Sequence, residues 1–395
     1  MSPVLPFDIY ALIIDVVGEN KDTRLLKKLA LVSHSFHQIC IKHLFANVEL
    51  HAYSKKGFVT LLKSRPNIVD YIRKLTYKVS GNNNGDDHLL SLILSNFLPT
   101  TSRLNCLAIN AVGQDWNTLD SSLTSAFLRL ISLPTINHID LSFIRNFPLS
   151  SLTLSVNLLR LDMSLCFHYP EEDSFFKTIQ SEMFPKIRVF HTSNSDLLTM
   201  KLLDVKGQDG RPVFNFMDLR QLSISFFCVA DYLNIQCLLG KAKLLERLHL
   251  SVGIGLSLVG VFSTGARTLK SLDLTVPLFQ DNLPPLAELY DELEAMVGHN
   301  TLEVLSLKVC VEAHHRDYSA IGSTIQKVEN ILVKPGWSAL RQVSFKLPIR
   351  YRCHGEDPEF IKALQSLPDK YLSHLSKLES VAFNYSAYHA YLVRN

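Results

Sequence analysis

The sequence predicts an α/β repeat solenoid: a three-helix front module, then strand-and-helix units whose strands lie side by side in a parallel sheet. Three patterns point to it. Apolar residues between positions 5 and 50 recur every three to four residues in three short runs. Beyond residue 70, a hexad apolar at its first, fourth and sixth positions recurs down the chain. Segments of helical spacing, punctuated by Pro and Gly, lie between the hexads. The expected organisation is a front module at 1–50, a linker at 51–70 and a solenoid at 71–395.

In the front module, Ile9, Leu12, Ile13, Val16 and Val17 fall on one helical run, with Pro6 suited to its first turn. Gly18-Glu19-Asn20 stops that run, and Asp22 or Thr23 caps the next, which carries Leu25, Leu26, Leu29 and Val32. A third run follows Ser33, with Phe36, Ile39, Cys40, Leu44 and Phe45. So small a unit buries little surface by itself and is usually stabilised by a partner or a neighbouring domain.

The solenoid hexads are clearest at Leu219-Arg-Gln-Leu222-Ser-Ile224, Leu245-Glu-Arg-Leu248-His-Leu250, Leu269-Lys-Ser-Leu272-Asp-Leu274 and Leu302-Glu-Val-Leu305-Ser-Leu307. The last two are Leu340-Arg-Gln-Val343-Ser-Phe345 and Leu378-Glu-Ser-Val381-Ala-Phe383. Looser copies centre on Leu75, Leu107, Ile139, Leu161 and Phe190, so the central anchors follow one another at intervals of 22 to 38 residues. Helical segments are expected at Leu119–Leu130, Leu286–Val297, Ile321–Leu332 and Pro358–Leu367, and a turn and helix beginning near Gly253. Leu149-Ser-Ser-Leu152-Thr-Leu154 also fits the hexad, but it is assigned to the convex side because two strands nine residues apart leave no room for a helix. One strand and one helix per unit, neither able to bury its apolar face without the next, is the leucine-rich-repeat pattern.

Composition excludes several alternatives. Among 395 residues, 47% are hydrophobic and 19% charged, which is not a disordered chain. Forty Lys+Arg against 37 Asp+Glu give a net charge of +3, too small a surplus to indicate nucleic acid as a partner. The seven cysteines are widely spaced without a C-x-x-C, so they are expected as small buried residues in a reducing compartment. No basic segment precedes the first apolar run, so no secretory leader is expected. The uncharged run Leu250–Ala266 is too short and too rich in Ser and Gly for a membrane span, and no membrane partner is expected.

Leu5-Pro6-Phe7-Asp8-Ile9, the pair Ile13-Ile14, and Leu29-Ala30-Leu31-Val32-Ser33-His34-Ser35-Phe36 together resemble an F-box, with Asp8 standing for the usual Glu and Phe36 for the usual Trp. The resemblance covers about an eighth of the chain. It implies docking to a Skp-type adaptor on a cullin scaffold through Leu5, Pro6, Ile9, Ile13, Ile14, Leu31, Val32 and Phe36. The chain behind it is similar to the irregular leucine-rich repeats that follow F-boxes. A substrate-recognition subunit of an SCF-type ubiquitin ligase in the cytoplasm or nucleus is therefore implied, with a target protein held by the repeats. The competing expectation is a stand-alone repeat scaffold whose helical front is only a cap.

In a strand written L-x-x-L-x-L the leucines point into the stack and the intervening residues line the open face. Two columns flank the central anchors, and their charged members give the candidate target-binding residues Arg160, Asp162, Arg247, His249 and Asp273. No metal site is expected. His34, His37, Cys40 and His43 step by three along a helix, drifting by roughly 60° per step, so they cannot close around one ion. Gly253-Ile-Gly255-Leu-Ser-Leu258 fails the dinucleotide fingerprint at its last position. With no nucleophile–base constellation in the sequence pattern, the expectation is a non-enzyme without cofactors.

Overall fold

The computed structural model describes residues 7–20, 22–51, 54–79, 93–99, 102–167, 184–207, 210–226, 228–253, 258–262, 267–278, 284–312, 318–350 and 358–389. The chain divides into two units, residues 1–185 with 206–213, and residues 186–205 with 214–395.

The first unit begins with three helices, α1 (Phe7–Glu19), α2 (Thr23–Leu29) and α3 (His34–Leu44). Asp22 caps α2 by accepting the Leu25 N–H at 3.0 Å, and Ser33 caps α3 by accepting the Phe36 N–H at 3.3 Å. Ile14, Leu26, Ile39 and Cys40 form the shared interior, with Ala11, Val17, Leu29, Ala30, Phe36 and Leu44 packed around it. A methyl group at Gly18 would collide with the His43 ring, so this position accepts only glycine if α1 and α3 are to pass this closely.

The same unit continues as a parallel ladder, β1 (Asn47–Leu50), β2 (Lys74–Lys78), β3 (Cys106–Asn110), β4 (His138–Ser142) and β5 (Arg160–Ser164). Val48, Leu75, Leu107, Ile139 and Leu161 stand opposite one another in register. The ladder therefore starts at Asn47, inside the segment the sequence had placed in the front module. Phe45-Ala-Asn-Val48-Glu-Leu50 is itself a hexad, hidden because it runs straight on from α3. Residues expected as a linker instead form α4 (Lys55–Ser64) and a 3-10 turn at Pro66–Tyr71, since Phe58, Val59, Leu62, Ile68 and Val69 all find burial.

Helix α5 (Ser121–Ile131) joins β3 to β4, capped by Asp120 and burying Leu123, Phe127, Leu130 and Ile131. Leu149–Leu154 is a 3-10 helix rather than a strand. The turns after β3, β4 and β5 hold Val112, Phe143 and Leu165 at φ 47°, 55° and 52°, a left-handed backbone that side chains resist.

The second unit is a parallel ladder of seven strands among the described residues. They are β6 (Val189–Ser193), β7 (Gln221–Phe226), β8 (Arg247–Val252), β9 (Ser271–Leu278), β10 (Val304–Glu312), β11 (Gln342–Arg350) and β12 (Ala382–His389). Phe190, Leu222, Leu248, Leu272, Leu305 and Val343 share one register position, as the hexads predict. At the last strand Phe383, not Val381, stands opposite Val343. The hexad there has the right alternation but lies two residues early.

Connecting helices are α6 (Asp196–Asp204), α7 (Val229–Lys241), α8 (Pro284–Met296), α9 (Tyr318–Leu332), α10 (Pro358–Gln365) and the short α11 (Leu367–Tyr371). Gly298, at φ 77°, follows α8 and ends it in the left-handed backbone that glycine adopts without strain. The helix expected after Gly253 is absent among the described residues there: 258–262 form turns that bury Leu258, Val261 and Phe262. Those turns are held by carboxylates, with Glu288 accepting the Leu258 N–H at 2.6 Å and buried Glu292 accepting those of Gly260 and Phe262 at 2.6 and 2.8 Å. Each unit is thus a leucine-rich-repeat-like α/β stack. Among the described residues no helix is long and apolar enough to cross a membrane.

Candidate functional site

Two kinds of surface stand out. The first is the outer face of the front module. Helix α1 is apolar on nearly every side, so it cannot bury all of itself against two short neighbours. Tyr10, Ile14 and Val17 turn inward; Ile9, Leu12, Ile13 and Val16, spaced i, i+3, i+4 and i+7, remain exposed. Phe7 is also exposed, and in the α2–α3 connection Leu31 and Val32 keep 87% and 66% of their surface open. Side chains this exposed gain only part of their possible burial from folding, and an almost fully open one such as Leu31 would contribute about 1.5–3 kcal/mol if a partner covered it.

The sequence-derived docking set separates on this point. Ile9, Ile13, Leu31 and Val32 lie on the exposed face. Ile14 does not: its side chain is wholly buried in the module's own interior, because it lies on the opposite side of α1 from Leu12. Phe36 is half-buried against Tyr10, with ring centroids 5.1 Å apart. Leu5 and Pro6 lie outside the described residues. Leu12, Val16 and Phe7 join the face although the motif does not name them; the signal was a helix with more apolar residues than one stripe can hold.

The second surface is the polar side of the ladders. In the first unit Cys106, His138 and Arg160 occupy one register position on β3, β4 and β5. Asp162, two residues along β5, reaches diagonally to His138, whose Nε2 lies 2.9 Å from its Oδ2. The other ring nitrogen of His138, Nδ1, lies 3.2 Å from the Cys106 sulfur. The Arg160 Nε donates to both Asp162 oxygens, at 3.1 and 3.0 Å. Burial opposes the charged form of His138, but the hydrogen bonds to Asp162 and Cys106 outweigh it and raise its pKa to about 9. Burial likewise opposes the Asp162 carboxylate, yet His138 and Arg160 hold it below its ordinary value.

The second unit holds His249 and Asp273 on neighbouring strands, with Nδ1 3.1 Å from Oδ2. The His249 hydrogen bond, with lesser help from Ser306 and Lys346, holds Asp273 below the usual carboxylate range. Arg247 is exposed at the start of β8. Of the five charged candidates, Arg160 and Asp162 thus meet in the first unit and His249 and Asp273 in the second, while Arg247 stands exposed two residues before His249. His138 and Cys106 complete the first site; each directly precedes a central anchor, Ile139 or Leu107, but nothing in the sequence indicated that a diagonal contact would join His138 to Asp162.

Of the four stepped residues on α3, His34 contacts Gln38, His37 contacts Arg65, His43 contacts Asp15 and Cys40 is buried. Each has its own neighbour.

No protein-family model matches the chain, and no curated protein matches it. Among solved structures it is similar to that of human 5T4 (Wnt-activated inhibitory factor 1, trophoblast glycoprotein), with 14% identity and a TM-score of 0.30 over 65% of this chain and 77% of that one.

Proposed function

We propose that this chain is a non-catalytic substrate-recognition subunit of an SCF-type ubiquitin ligase, working in the cytoplasm or nucleus. The front module docks a Skp-type adaptor carried on a cullin, and the polar strand faces hold a target protein. The coarser part of this reading, a protein-interaction scaffold, follows from parallel repeats that present rows of mixed polar residues to solvent. The finer part is carried by one observation. The module fills its interior with Ile14, Leu26, Ile39 and Cys40 and still leaves Ile9, Leu12, Ile13, Val16, Leu31 and Val32 uncovered. That is the face an adaptor needs. The chain performs no bond chemistry in this role; holding a target near a charged conjugating enzyme supplies the rate through effective concentration.

Co-expression with a Skp-type adaptor tests the reading. A stable complex is expected, and Ile9→Asp with Ile13→Asp should abolish it while the purified chain keeps its unfolding midpoint. If the complex survives both changes, or never forms with adaptors from several sources, the ligase role fails.

The competing reading is a stand-alone scaffold with a helical cap. It is favoured by β1 pairing with β2 directly after α3, and by Arg65 contacting His37 at 3.1 Å, which tie the module to the ladder. It predicts no adaptor complex and loss of folding when residues 1–46 are removed.

A further inference from the structure

The polar site on β3, β4 and β5 has a composition that target binding does not require. A thiol, an imidazole and a carboxylate stand in series, with a guanidinium behind the carboxylate. A nucleophile within hydrogen-bond reach of a base that a third group orients is the arrangement by which proteins activate a weak nucleophile. We propose that Cys106 is a modification site, a thiol that adds to small α,β-unsaturated carbonyl compounds with His138 as its proton carrier and Asp162 as a positioning residue.

The geometry assigns each role. Cys106 Sγ and His138 Nδ1 lie 3.2 Å apart, so one proton passes between them without rearrangement. His138 Nε2 faces Asp162 Oδ2 at 2.9 Å, which fixes the ring and favours its charged form. The Arg160 Nη2, 2.9 Å from Asp162 Oδ2, keeps that carboxylate in place and leaves half of its own side chain open to solvent. Its hydrogen bonds to Asp162 and Cys106 outweigh burial and raise the His138 pKa to about 9, so the ring is able to carry a proton at this position.

In the reaction the sulfur bonds to the β-carbon of the acceptor, and the alkene π pair moves to the α-carbon and carbonyl oxygen. The proton held on His138 then passes to the α-carbon. The net change is addition of S–H across C=C, with nothing else consumed. Negative charge builds transiently on the carbonyl oxygen, on the side of Lys74, which stands opposite Cys106 in register.

Access selects the reagent. Cys106 is only 6% exposed, and Lys74 and His138 on the adjoining strands are half-buried, which limits any reagent at the sulfur to a small one. Of the other described cysteines, Cys237 is exposed and Cys228 is intermediate. They supply the comparison within one molecule.

The full chain is treated with less than one equivalent of N-ethylmaleimide, and adducts are assigned by peptide mass spectrometry over time. Cys106 should be modified ahead of Cys237 despite its burial. In His138→Gln the Cys106 rate should fall by about a hundredfold while the Cys237 rate stays the same. Asp162→Asn should move the pH at which the Cys106 rate rises, which a purely structural role would not do. Labelling of Cys237 or Cys228 first in the unaltered protein overturns the proposal, and that comparison needs no variant to fold. An unchanged Cys106 rate in His138→Gln overturns it as well.

Discussion

The carboxylate of Glu329 on α9 accepts the backbone N–H of Leu375 at 3.0 Å, 46 residues further along the chain. The same carboxylate accepts the His374 N–H at 2.8 Å, and its side chain is almost wholly buried. A helix of one repeat thereby fastens the turn of the next. Glu329→Ala should destabilise the chain by about 2–3 kcal/mol, because one buried and one part-buried donor lose their acceptor. Glu329→Gln keeps one acceptor oxygen and should cost less. Urea unfolding of the two variants checks the order.

The two sides of α1 should respond in opposite ways. Ile14→Ala opens a cavity in the module's interior and should cost about 2–4 kcal/mol. Leu12→Ala, on the exposed side, should change stability by less than about 0.5 kcal/mol. In adaptor capture Leu12→Ala should give the larger loss once both proteins are measured below the unfolding temperature of the weaker one. Equal effects on both readouts would mean that α1 has no partner-facing side.

Unit-one stability should depend on pH through His138 and Asp162. His138 has a raised pKa when folded, so its contribution is fully present below the unfolded value near 6.5 and is lost as pH climbs through about 9. Asp162 has a depressed pKa, so its contribution holds above the unfolded value near 3.8 and is lost as pH falls below it. A plateau between about pH 4 and 6.5, then a decline on the order of 2 kcal/mol by about pH 9, is expected. His138→Gln should flatten the alkaline decline, as thermal melts across the range will show.

Ser33 sits at the start of α3 with its hydroxyl on the Phe36 N–H. Ser33→Ala should cost about 1 kcal/mol, and Ser33→Asp should recover most of it. Circular dichroism melts provide the measurement.

Most of the ladder could be read from the chain because the central hexad anchors are also its register points. Leu248, Leu272 and Leu305 are spaced unevenly in sequence yet stand side by side. Where the alternation runs on, that signal loses its origin: Val381, Phe383 and Tyr385 all obey period two, so only pairing with Val343 fixes which one is central. The first strand was missed for a different reason. Asn47–Leu50 follows α3 without a turn residue to mark the change, and four residues carry too little pattern to compete with the helix before them.

The site was less legible. Alternation tells which residues share a face, but not which side chains span the gap between strands. Cys106, His138 and Asp162 lie in two different columns on three strands, and the contact of His138 with Asp162 depends on side-chain reach along a diagonal. The exposed stripe of α1 could be anticipated only in outline. The pattern identified too many apolar residues for the helix to hide, and Ile14 rather than Ile13 went inside because Leu26, Ile39 and Cys40 wait on that side.

Val112, Phe143 and Leu165 give the first unit a taut hem. Each sits just past a strand in a backbone shape that its own side chain opposes by about 1–2 kcal/mol, and neighbouring rungs keep it there, with the Gly113 N–H on the Phe143 carbonyl and the Phe143 N–H on that of Ser164. Tension of this kind relaxes at the first opportunity. Fraying in this ladder should therefore start along the carboxyl rim of β3, β4 and β5, leaving the hexad leucines the last to part.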